Sequence, residues 1–218
     1  MLRTRLNQVN MIMLIRHGDT DWNVEEIFRG RADIELNETG VKQAELLAKH
    51  LTNERIAAIY SSPLKRALET AEVIAVPHNI DVTTSEELID FDYGEWQGLS
   101  HDTVKRKYKV LYNEWLNNPH LVKVPNGESL DDVRGRAVGL VNQVVTKHDG
   151  IVVLVSHRVV GKVLICALLG LDNSHFWNIR LDTCGITTFA YEKGRFVLAS
   201  HNDTSFLKLL GKTQLSDF

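Results

Sequence analysis

Residues 11–17 read Met-Ile-Met-Leu-Ile-Arg-His, a short apolar run that ends in an arginine and a histidine. Such a run is typical of a β-strand covered on both faces, as in a parallel sheet. A second run, Ile151–Val155, is followed by Ser156 and His157. The carboxyl ends of parallel strands lie at one edge of a sheet, where open α/β proteins bind ligands. We therefore expect His17 and His157 to meet at this edge although 140 positions separate them.

Strand-like and helix-like segments alternate around these two runs, which indicates an α/β fold. Residues 56–60 form a third apolar strand, and residues 186–191 and 196–200 predict a hairpin. Apolar residues at helical spacing, with capping signals, predict helices over residues 41–51, 62–75, 102–117, 129–147 and 159–169. The sequence thus predicts a mainly parallel central sheet with helices on both faces, closed at one edge by the hairpin, with the active site at the strand carboxyl ends.

The length and composition of the chain favour one soluble domain. Its 218 residues suit a single domain over residues 11–218, preceded by a flexible extension over residues 1–10 that lacks the apolar core of a secretory signal. With a net charge of −3, the chain has no overall positive charge that would attract nucleic acid or an anionic membrane. No apolar stretch is long enough to span a bilayer. Two cysteines without a C-x-x-C pair fit a cytoplasmic location.

Two arginines accompany the histidines and suit an anionic ligand. In Arg16-His17-Gly18, a cation lies beside an imidazole, and the glycine permits close approach of the backbone. Arg66 falls in the first turn of the helix predicted to begin at Ser62-Pro63, where free backbone N–H groups also favour an anion. Each feature alone also fits an ordinary surface loop. Together they predict an anion site with a nucleophilic imidazole.

An acidic stretch supplies candidates for a general acid. No lysine or arginine occurs from Ala67 to Val104, whereas nine acidic residues do. Most of them must be solvated, but a carboxyl among like charges and beside aromatic residues gains a raised pKa, which suits proton donation. Patterns for a zinc site, a nucleotide-binding loop or a serine hydrolase are absent from the sequence. The residues alone therefore favour an anion site with a nucleophilic imidazole and a candidate general acid over these alternatives.

Seven motifs in order resemble the histidine phosphatase superfamily, also called the phosphoglycerate mutase-like family. The first resembles R-H-G-x-T-x-W-N, the third S-S-P-L-x-R-A, the fifth P-G-G-E-S and the last L-x-x-N-D-T. The motifs lie at Leu14–Asn23, Gly30–Ala44, Ser61–Ala71, Gly94–Gly98, Pro125–Ser129, Val155–His157 and Leu198–Thr204. Each is modest alone, but their joint order over most of the chain is specific.

The resemblance implies a phosphomonoester hydrolase that acts on a small phosphorylated metabolite. His17 would attack phosphorus and become phosphohistidine, while Arg16, Arg66 and His157 would hold the phosphoryl oxygens. The substrate side would be lined by Asn23, Arg29 and Gly30. The resemblance implies no metal and no cofactor.

Three positions depart from the family pattern. The usual proton donor is a glutamate four residues before the glycine of G-x-W, and this position is Asp90 here; Asp92 and Glu95 are the fallback acids. Aspartate is shorter by one methylene, so its backbone must lie closer. Arg158 replaces the common glycine after the second histidine, and Arg29 replaces a more usual Gln or Thr. Both changes add positive charge at the mouth of the site and favour an anionic substrate.

Two other functions remain open from the sequence. A cofactor-dependent phosphoglycerate mutase would carry a longer insertion with an Arg-Arg pair, which residues 99–128 lack. A pseudoenzyme would bind phosphorylated partners without turnover, but the histidines and arginines of the site are all present. Trp115, Phe176 and Trp177 fit either the core or the interface of a homo-oligomer.

Overall fold

The computed structural model describes residues 10–24 and 27–210, and within them the side chains of residues 23, 24 and 209 are not described. Most of the extension predicted over residues 1–10 lies outside these ranges. Asn10, however, is already part of the first strand, so the predicted boundary was one residue too late. The helices and strands in chain order are β1 (Asn10–Arg16), α1 (Asp21–Val24), α2 (Glu38–Leu51), β2 (Ile56–Ser61), α3 (Lys65–Ala75), β3 (Val82–Thr84), α4 (His101–Lys107), α5 (Lys109–Asn117), α6 (Leu130–Lys147), β4 (Ile151–Ser156), α7 (Arg158–Leu168), β5 (Ile186–Glu192) and β6 (Arg195–Asp203).

Within the described ranges, the sheet has six strands in the order β3-β2-β4-β1-β5-β6. The pairs β3-β2, β2-β4 and β4-β1 are parallel, whereas β5 and β6 add an antiparallel hairpin at one edge. In the pairing of β1 with β4, Arg16 lies opposite Ser156. The next residues, His17 and His157, therefore leave the sheet side by side, as the sequence predicted.

Helices cover both faces of the sheet because successive strand residues point to opposite faces. Ile12 and Leu14 of β1 pack in one hydrophobic core with residues of α6 and α7. Met13 and Ile15 pack in a second core with residues of α2 and α3. The run that predicted the strand is continuously apolar because its alternate residues are buried in two different cores. No helix in the described part of the chain is both long and apolar enough to span a bilayer.

Some predicted element boundaries were wrong. The helix expected over residues 102–117 is interrupted at Tyr108, whose φ of −121° and ψ of 39° are not helical. The helix expected to begin at Ser62-Pro63 begins at Lys65, and Leu64 is its N-cap residue. The short strand β3 was not predicted. Arg66 nevertheless lies in the first turn of α3, as expected.

The aromatic residues that fitted either core or interface belong mostly to the core. Trp115 and Phe176 are 2% and 1% exposed, and their rings lie 5.7 Å apart. Trp177 is half-buried and donates its indole N–H to the carbonyl of Trp115 over 2.8 Å. These residues pack the 3₁₀ turn Asn173–Asn178 against α5.

Candidate functional site

The two histidines lie together at the carboxyl edge of the sheet. The ring centroids of His17 and His157 are 5.2 Å apart, and each side chain is 1% exposed. The backbone N–H of His17 donates to the carbonyl of Ser156 over 3.0 Å, which extends the β1-β4 pairing by one residue. The register of two parallel strands therefore brings the histidines together.

The loop after His17 is pressed against the start of α2. A Cβ atom on Gly18 would lie 2.6 Å from the carbonyl oxygen of Gly40, so a larger residue does not fit there without a shift of the backbone. The backbone N–H of Gly18 donates to Thr70 Oγ1 over 3.2 Å, and that of Asp19 donates to Gln43 Oε1 over 2.8 Å. These contacts fix the backbone that carries His17.

His17 is held as a neutral imidazole with one nitrogen available for chemistry. Its Nδ1 lies 2.6 Å from the carbonyl oxygen of Gly18, and a carbonyl can only accept, so Nδ1 carries the proton. Nε2 therefore holds a lone pair, and Arg66 Nε donates to it over 3.3 Å. Burial first, and then the charge of Arg66, lowers the pKa of His17 well below its usual 6.5. A neutral imidazole of this kind suits a nucleophile.

Arg66 is fully buried and binds several site elements at once. Its two terminal nitrogens donate to the carbonyls of Ala32 and Gly30 over 2.7 and 2.8 Å, and one of them also lies 3.0 Å from Asp90 Oδ2. Burial lowers the pKa of Arg66, and Asp90 opposes this effect. The guanidinium is fixed beside the nucleophilic nitrogen, where a phosphoryl oxygen would need a donor.

Arg16 is oriented by the loop that precedes β5. Its Nη1 donates to the carbonyl of Leu181 over 2.7 Å. The loop that carries Leu181 is held by Asn202, which accepts from the backbone N–H of Asp182 and donates to its carboxylate, both over 2.8 Å. Asn202 of the L-x-x-N-D-T motif thus stabilises the loop whose carbonyl binds Arg16. The sequence of the motif did not indicate this contribution.

His157 connects three segments at the same edge. Its Nε2 lies 2.7 Å from Ser62 Oγ, and its Nδ1 lies 3.5 Å from Asp90 Oδ2. Burial first, and then Arg66, lowers the pKa of His157 well below 6.5. Ser62, expected to cap a helix, instead orients this histidine.

Asp90 is the predicted acid that the fold places beside the histidines. It is 6% exposed, and its Oδ1 accepts from the backbone N–H of Phe91 over 2.8 Å. The fallback acids lie elsewhere. Asp92 pairs with Arg31 over 3.5 Å, and the exposed Glu95 accepts from Tyr108 and Asn126 over 2.8 and 2.9 Å.

The backbone of Asp90 is held by an arginine on α6. Arg136 donates to the carbonyls of Glu87 and Asp90 over 2.8 and 3.3 Å. The same guanidinium binds both carboxylate oxygens of Glu128 over 3.0 and 3.1 Å. Glu128 belongs to the Pro125–Ser129 motif, and it also accepts from the backbone N–H of Asp92 over 3.0 Å. Arg136 was missed from the sequence because it lies in an ordinary helical pattern.

A cleft of about 350 Å³, including space open to solvent, leads to this cluster. Arg29, Gly30 and Arg158 line it together with His17 and Asp90. The side chain of Asn23, predicted to bind substrate, lies outside the described residues. The cleft also includes residues that were not predicted to bind substrate, and these are Ile27, Phe28, Tyr93, His101 and Val159.

Tyr93 and His101 give the outer cleft an aromatic wall. His101 stacks on Phe28 with ring centroids 4.2 Å apart, and Tyr93 packs edge-on against Phe28 at 4.9 Å. Burial raises the pKa of Tyr93 to about 12, so its hydroxyl stays protonated at neutral pH. No periodic pattern marks these residues in the sequence, because Phe28 and Tyr93 lie in loops and His101 is the first residue of α4.

The ligand chemistry of the cluster is that of an anion site. Within the described ranges, no group of three or more His, Cys, Asp or Glu side chains is arranged to hold a metal ion. The side chains around His17 are two buried arginines, a second histidine and one carboxyl group. Such a set can bind a phosphoryl group, stabilise its charge and move one proton.

Comparison with known proteins agrees with this chemistry. A family model for the histidine phosphatase superfamily (branch 1) matches residues 12–204. Phosphoserine phosphatase 1 of Hydrogenobacter thermophilus is 38% identical over 90% of this chain and 93% of its own length. The metal-independent phosphoserine phosphatase of Arabidopsis thaliana is 31% identical over 95% of this chain and 87% of its own. Among solved structures, Bacillus stearothermophilus YhfR aligns with a TM-score of 0.87 and 33% identity, covering 91% of this chain and 99% of that one. The chain is a phosphatase and belongs to the histidine phosphatase superfamily.

Proposed function

We propose that this phosphatase hydrolyses small phosphomonoesters through a covalent phosphohistidine at His17, without a metal ion. The observation that carries the proposal is the orientation of His17: Nδ1 is bound to the carbonyl of Gly18, and Nε2 faces the buried guanidinium of Arg66. The relatives named phosphoserine phosphatases support a small phosphorylated substrate, and the name of one of them supports metal independence.

In the first step, Nε2 of His17 attacks phosphorus, and the bond from phosphorus to the ester oxygen breaks. Arg16, Arg66 and His157 bind the phosphoryl oxygens and stabilise their charge in the transition state. The leaving oxygen takes a proton from Asp90.

In the second step, water attacks phosphorus, and the bond from phosphorus to Nε2 breaks. Asp90 takes the proton from the water, inorganic phosphate leaves, and His17 returns to its neutral form. The tight loop at Gly18 supports both steps because it fixes the imidazole while bonds at Nε2 form and break.

Trapping of the intermediate tests the proposal. The chain is mixed with p-nitrophenyl phosphate in excess EDTA, quenched in alkaline denaturant and examined by intact mass and peptide mapping. We expect steady turnover and one phosphoryl group on His17. The His17→Gln variant should show neither, whereas His175→Gln, at an exposed histidine, should match the natural chain.

Each contrary outcome has a defined meaning. Loss of turnover in EDTA would contradict the metal-free mechanism, and a phosphoryl group on another residue would remove His17 as the nucleophile. Interconversion of phosphoglycerates without phosphate release would indicate a mutase. Binding of phosphomonoesters without turnover by any member of a broad panel would indicate a pseudoenzyme.

A further inference from the structure

The two histidines of the site have different hydrogen-bond partners, and these partners decide which ring nitrogen carries the proton. Burial lowers the pKa of each histidine well below 6.5, so both rings are neutral at neutral pH and each carries one N–H. His17 holds this proton on Nδ1, because that nitrogen contacts the carbonyl oxygen of Gly18 over 2.6 Å. For His157, the assignment depends on the hydroxyl group of Ser62.

Ser62 is fully buried and is fixed through its own backbone. Its N–H donates to the carbonyl of Val155 over 3.0 Å, and its carbonyl accepts from Ser61 Oγ over 2.9 Å. Val155 belongs to β4, the strand that leads to His157. Ser62 Oγ, which lies 2.7 Å from His157 Nε2, is therefore held in one position relative to the ring.

The hydrogen bond between Ser62 and His157 runs from the hydroxyl group to the ring. Ser62 Oγ accepts from the backbone N–H of Leu64 over 3.3 Å, and among the described residues His157 Nε2 is the one acceptor for its own proton. If Nε2 carried a proton instead, the buried hydroxyl group would be a donor that no described residue accepts, which is unfavourable. Ser62 therefore donates to Nε2, and the proton of His157 lies on Nδ1.

The opposite nitrogen of His157 faces an acceptor, which favours the same assignment. Nδ1 lies 3.5 Å from Asp90 Oδ2, and this oxygen already accepts from Arg66 over 3.0 Å. A lone pair on Nδ1 would be repelled by the carboxylate oxygen, whereas an N–H is attracted to it. Nδ1 makes no hydrogen bond within the described part of the chain, so its N–H can be donated to a phosphoryl oxygen.

We propose that Ser62 is a positioning residue that fixes His157 in the Nδ1–H form, so that this histidine donates an N–H to the phosphoryl group. The two neutral histidines then have opposite roles. His17 Nε2 offers a lone pair to phosphorus, and His157 Nδ1 offers a proton to a hydrogen bond with a phosphoryl oxygen. The inference rests on the proposed function and adds the residue that makes the second histidine a donor.

Nuclear magnetic resonance tests the protonation of both rings directly. In proton–nitrogen correlation spectra of the chain labelled with nitrogen-15 at histidine, the two neutral forms of imidazole give different patterns. We expect both His17 and His157 in the Nδ1–H form, with the signals assigned by His17→Gln and His157→Gln. In Ser62→Ala, the Nε2–H form of His157 should become populated, whereas His17 should stay unchanged because its partner is the carbonyl of Gly18.

Kinetics test what this N–H contributes to the reaction. We expect Ser62→Ala to lower kcat/KM by about tenfold to a hundredfold, somewhat less than complete loss of a donor to a transition-state oxygen costs. The loss should be equal for p-nitrophenyl phosphate and alkyl phosphates, because both carry the same phosphoryl group. Ser61→Ala removes the neighbouring buried hydroxyl group and should change neither the form of His157 nor the rate.

Two further variants separate the hydroxyl group from packing at this buried position. Ser62→Thr and Ser62→Val introduce side chains of nearly the same shape, and threonine alone keeps a donor for His157 Nε2. We expect the threonine variant to keep the Nδ1–H form and to exceed the valine variant by about tenfold in kcat/KM. Equal spectra and equal rates for the two variants would overturn the role of the hydroxyl group.

The positioning role and the catalytic mechanism can fail separately. A natural chain that forms phosphohistidine at His17 but holds His157 in the Nε2–H form would overturn the role of Ser62 alone. A loss of turnover in Ser62→Ala without any change in the form of His157 would also overturn it, since this would indicate a general structural effect. Absence of both turnover and phosphohistidine in the natural chain would contradict the proposed function itself.

Discussion

Asp90 is the proton donor of the proposed mechanism, and its short side chain makes this role sensitive to small changes in the backbone. Its Oδ2 is 3.0 Å from Arg66 and 3.5 Å from His157. For Asp90→Asn we expect a loss in kcat of about a hundredfold or more for alkyl phosphates, the usual range for a general acid. The loss for p-nitrophenyl phosphate should be much smaller, because its leaving group needs little protonation.

The two esters are compared in parallel with Asp92→Asn, whose carboxylate pairs with Arg31 outside the cleft. This control should keep the ratio of the two rates. An equal loss for both esters in Asp90→Asn would remove Asp90 as the acid.

The buried histidines make stability depend on pH. Burial and nearby arginines lower the pKa values of His17 and His157 well below 6.5 in the folded chain, while the unfolded chain keeps ordinary values. Below about pH 6.5, the unfolded state therefore binds more protons, and the free energy of unfolding should fall by about 1 kcal/mol per pH unit for each histidine.

Urea unfolding from about pH 7.5 to pH 5.5 measures this slope. The double variant His17→Gln, His157→Gln should have a shallower slope over the same range. An unchanged slope would show that other groups govern the acid sensitivity.

At the residue scale, the sequence predicted side chains that directly follow strands. The carboxyl ends of parallel strands share one edge of the sheet. The positions of His17 and His157, each directly after a strand, were therefore enough to predict that the two side chains lie close together. The choice among Asp90, Asp92 and Glu95 needed the resemblance, because loop conformation decides which carboxyl group points inward. Residues that act from other segments, such as Arg136 and Tyr93, left no local signal.

At the scale of elements, α6 positions the loop that carries the acid. Arg136 reaches from this helix to the carbonyls of Glu87 and Asp90, and Glu128 fixes its guanidinium from the opposite side. An aspartate with limited reach depends on this backbone anchor. Arg136 therefore acts as a positioning residue for Asp90.

We expect Arg136→Met to lower kcat for alkyl phosphates by about tenfold and to affect p-nitrophenyl phosphate less, since loss of an anchor misplaces a proton donor. Arg136→Lys should restore part of the loss. Arg134→Met removes a contact from the same helix to the carbonyl of Leu171 and should leave the ratio of the two esters unchanged. A uniform loss over both esters would mean that Arg136 supports only the fold.

Element boundaries were predicted less well than the elements themselves. Apolar spacing identified the segment over residues 102–117 but missed its interruption at Tyr108, whose hydroxyl binds Glu95 over 2.8 Å. Similarly, Ser62-Pro63 has the composition of a helix start, yet the contact of Ser62 with His157 holds it outside α3. In both places a tertiary contact outweighed the local preference.

At the scale of the whole molecule, β1 is one of the strands that contribute side chains to both cores. Ile12 is fully buried in one core and Met13 lies in the other. Ile12→Ala should lower the free energy of unfolding by about 2–5 kcal/mol, the usual cost of such a truncation in a core. Val110→Ala, at a side chain 79% exposed on α5, should change it by less than about 0.5 kcal/mol.

Equilibrium denaturation of both variants measures the difference. Similar values for the two would contradict the central place of β1. The alternation of apolar strands and helices was enough to predict the architecture, because a two-sided sheet requires it. The order of the strands could not be obtained from periodicity, since pairing between distant segments leaves no local pattern.

The central place of β1 has a consequence for the order in which a growing chain gains activity. β1 is synthesised before the other strands. Its two neighbours in the sheet, β4 (Ile151–Ser156) and β5 (Ile186–Glu192), are synthesised much later. A nascent chain therefore carries the proposed nucleophile, His17, long before it has the second histidine or the loop that orients Arg16. Phosphatase activity should therefore arise in one late step, after the β5-β6 hairpin has left the ribosome. Incomplete chains that lack this hairpin should show no phosphatase activity.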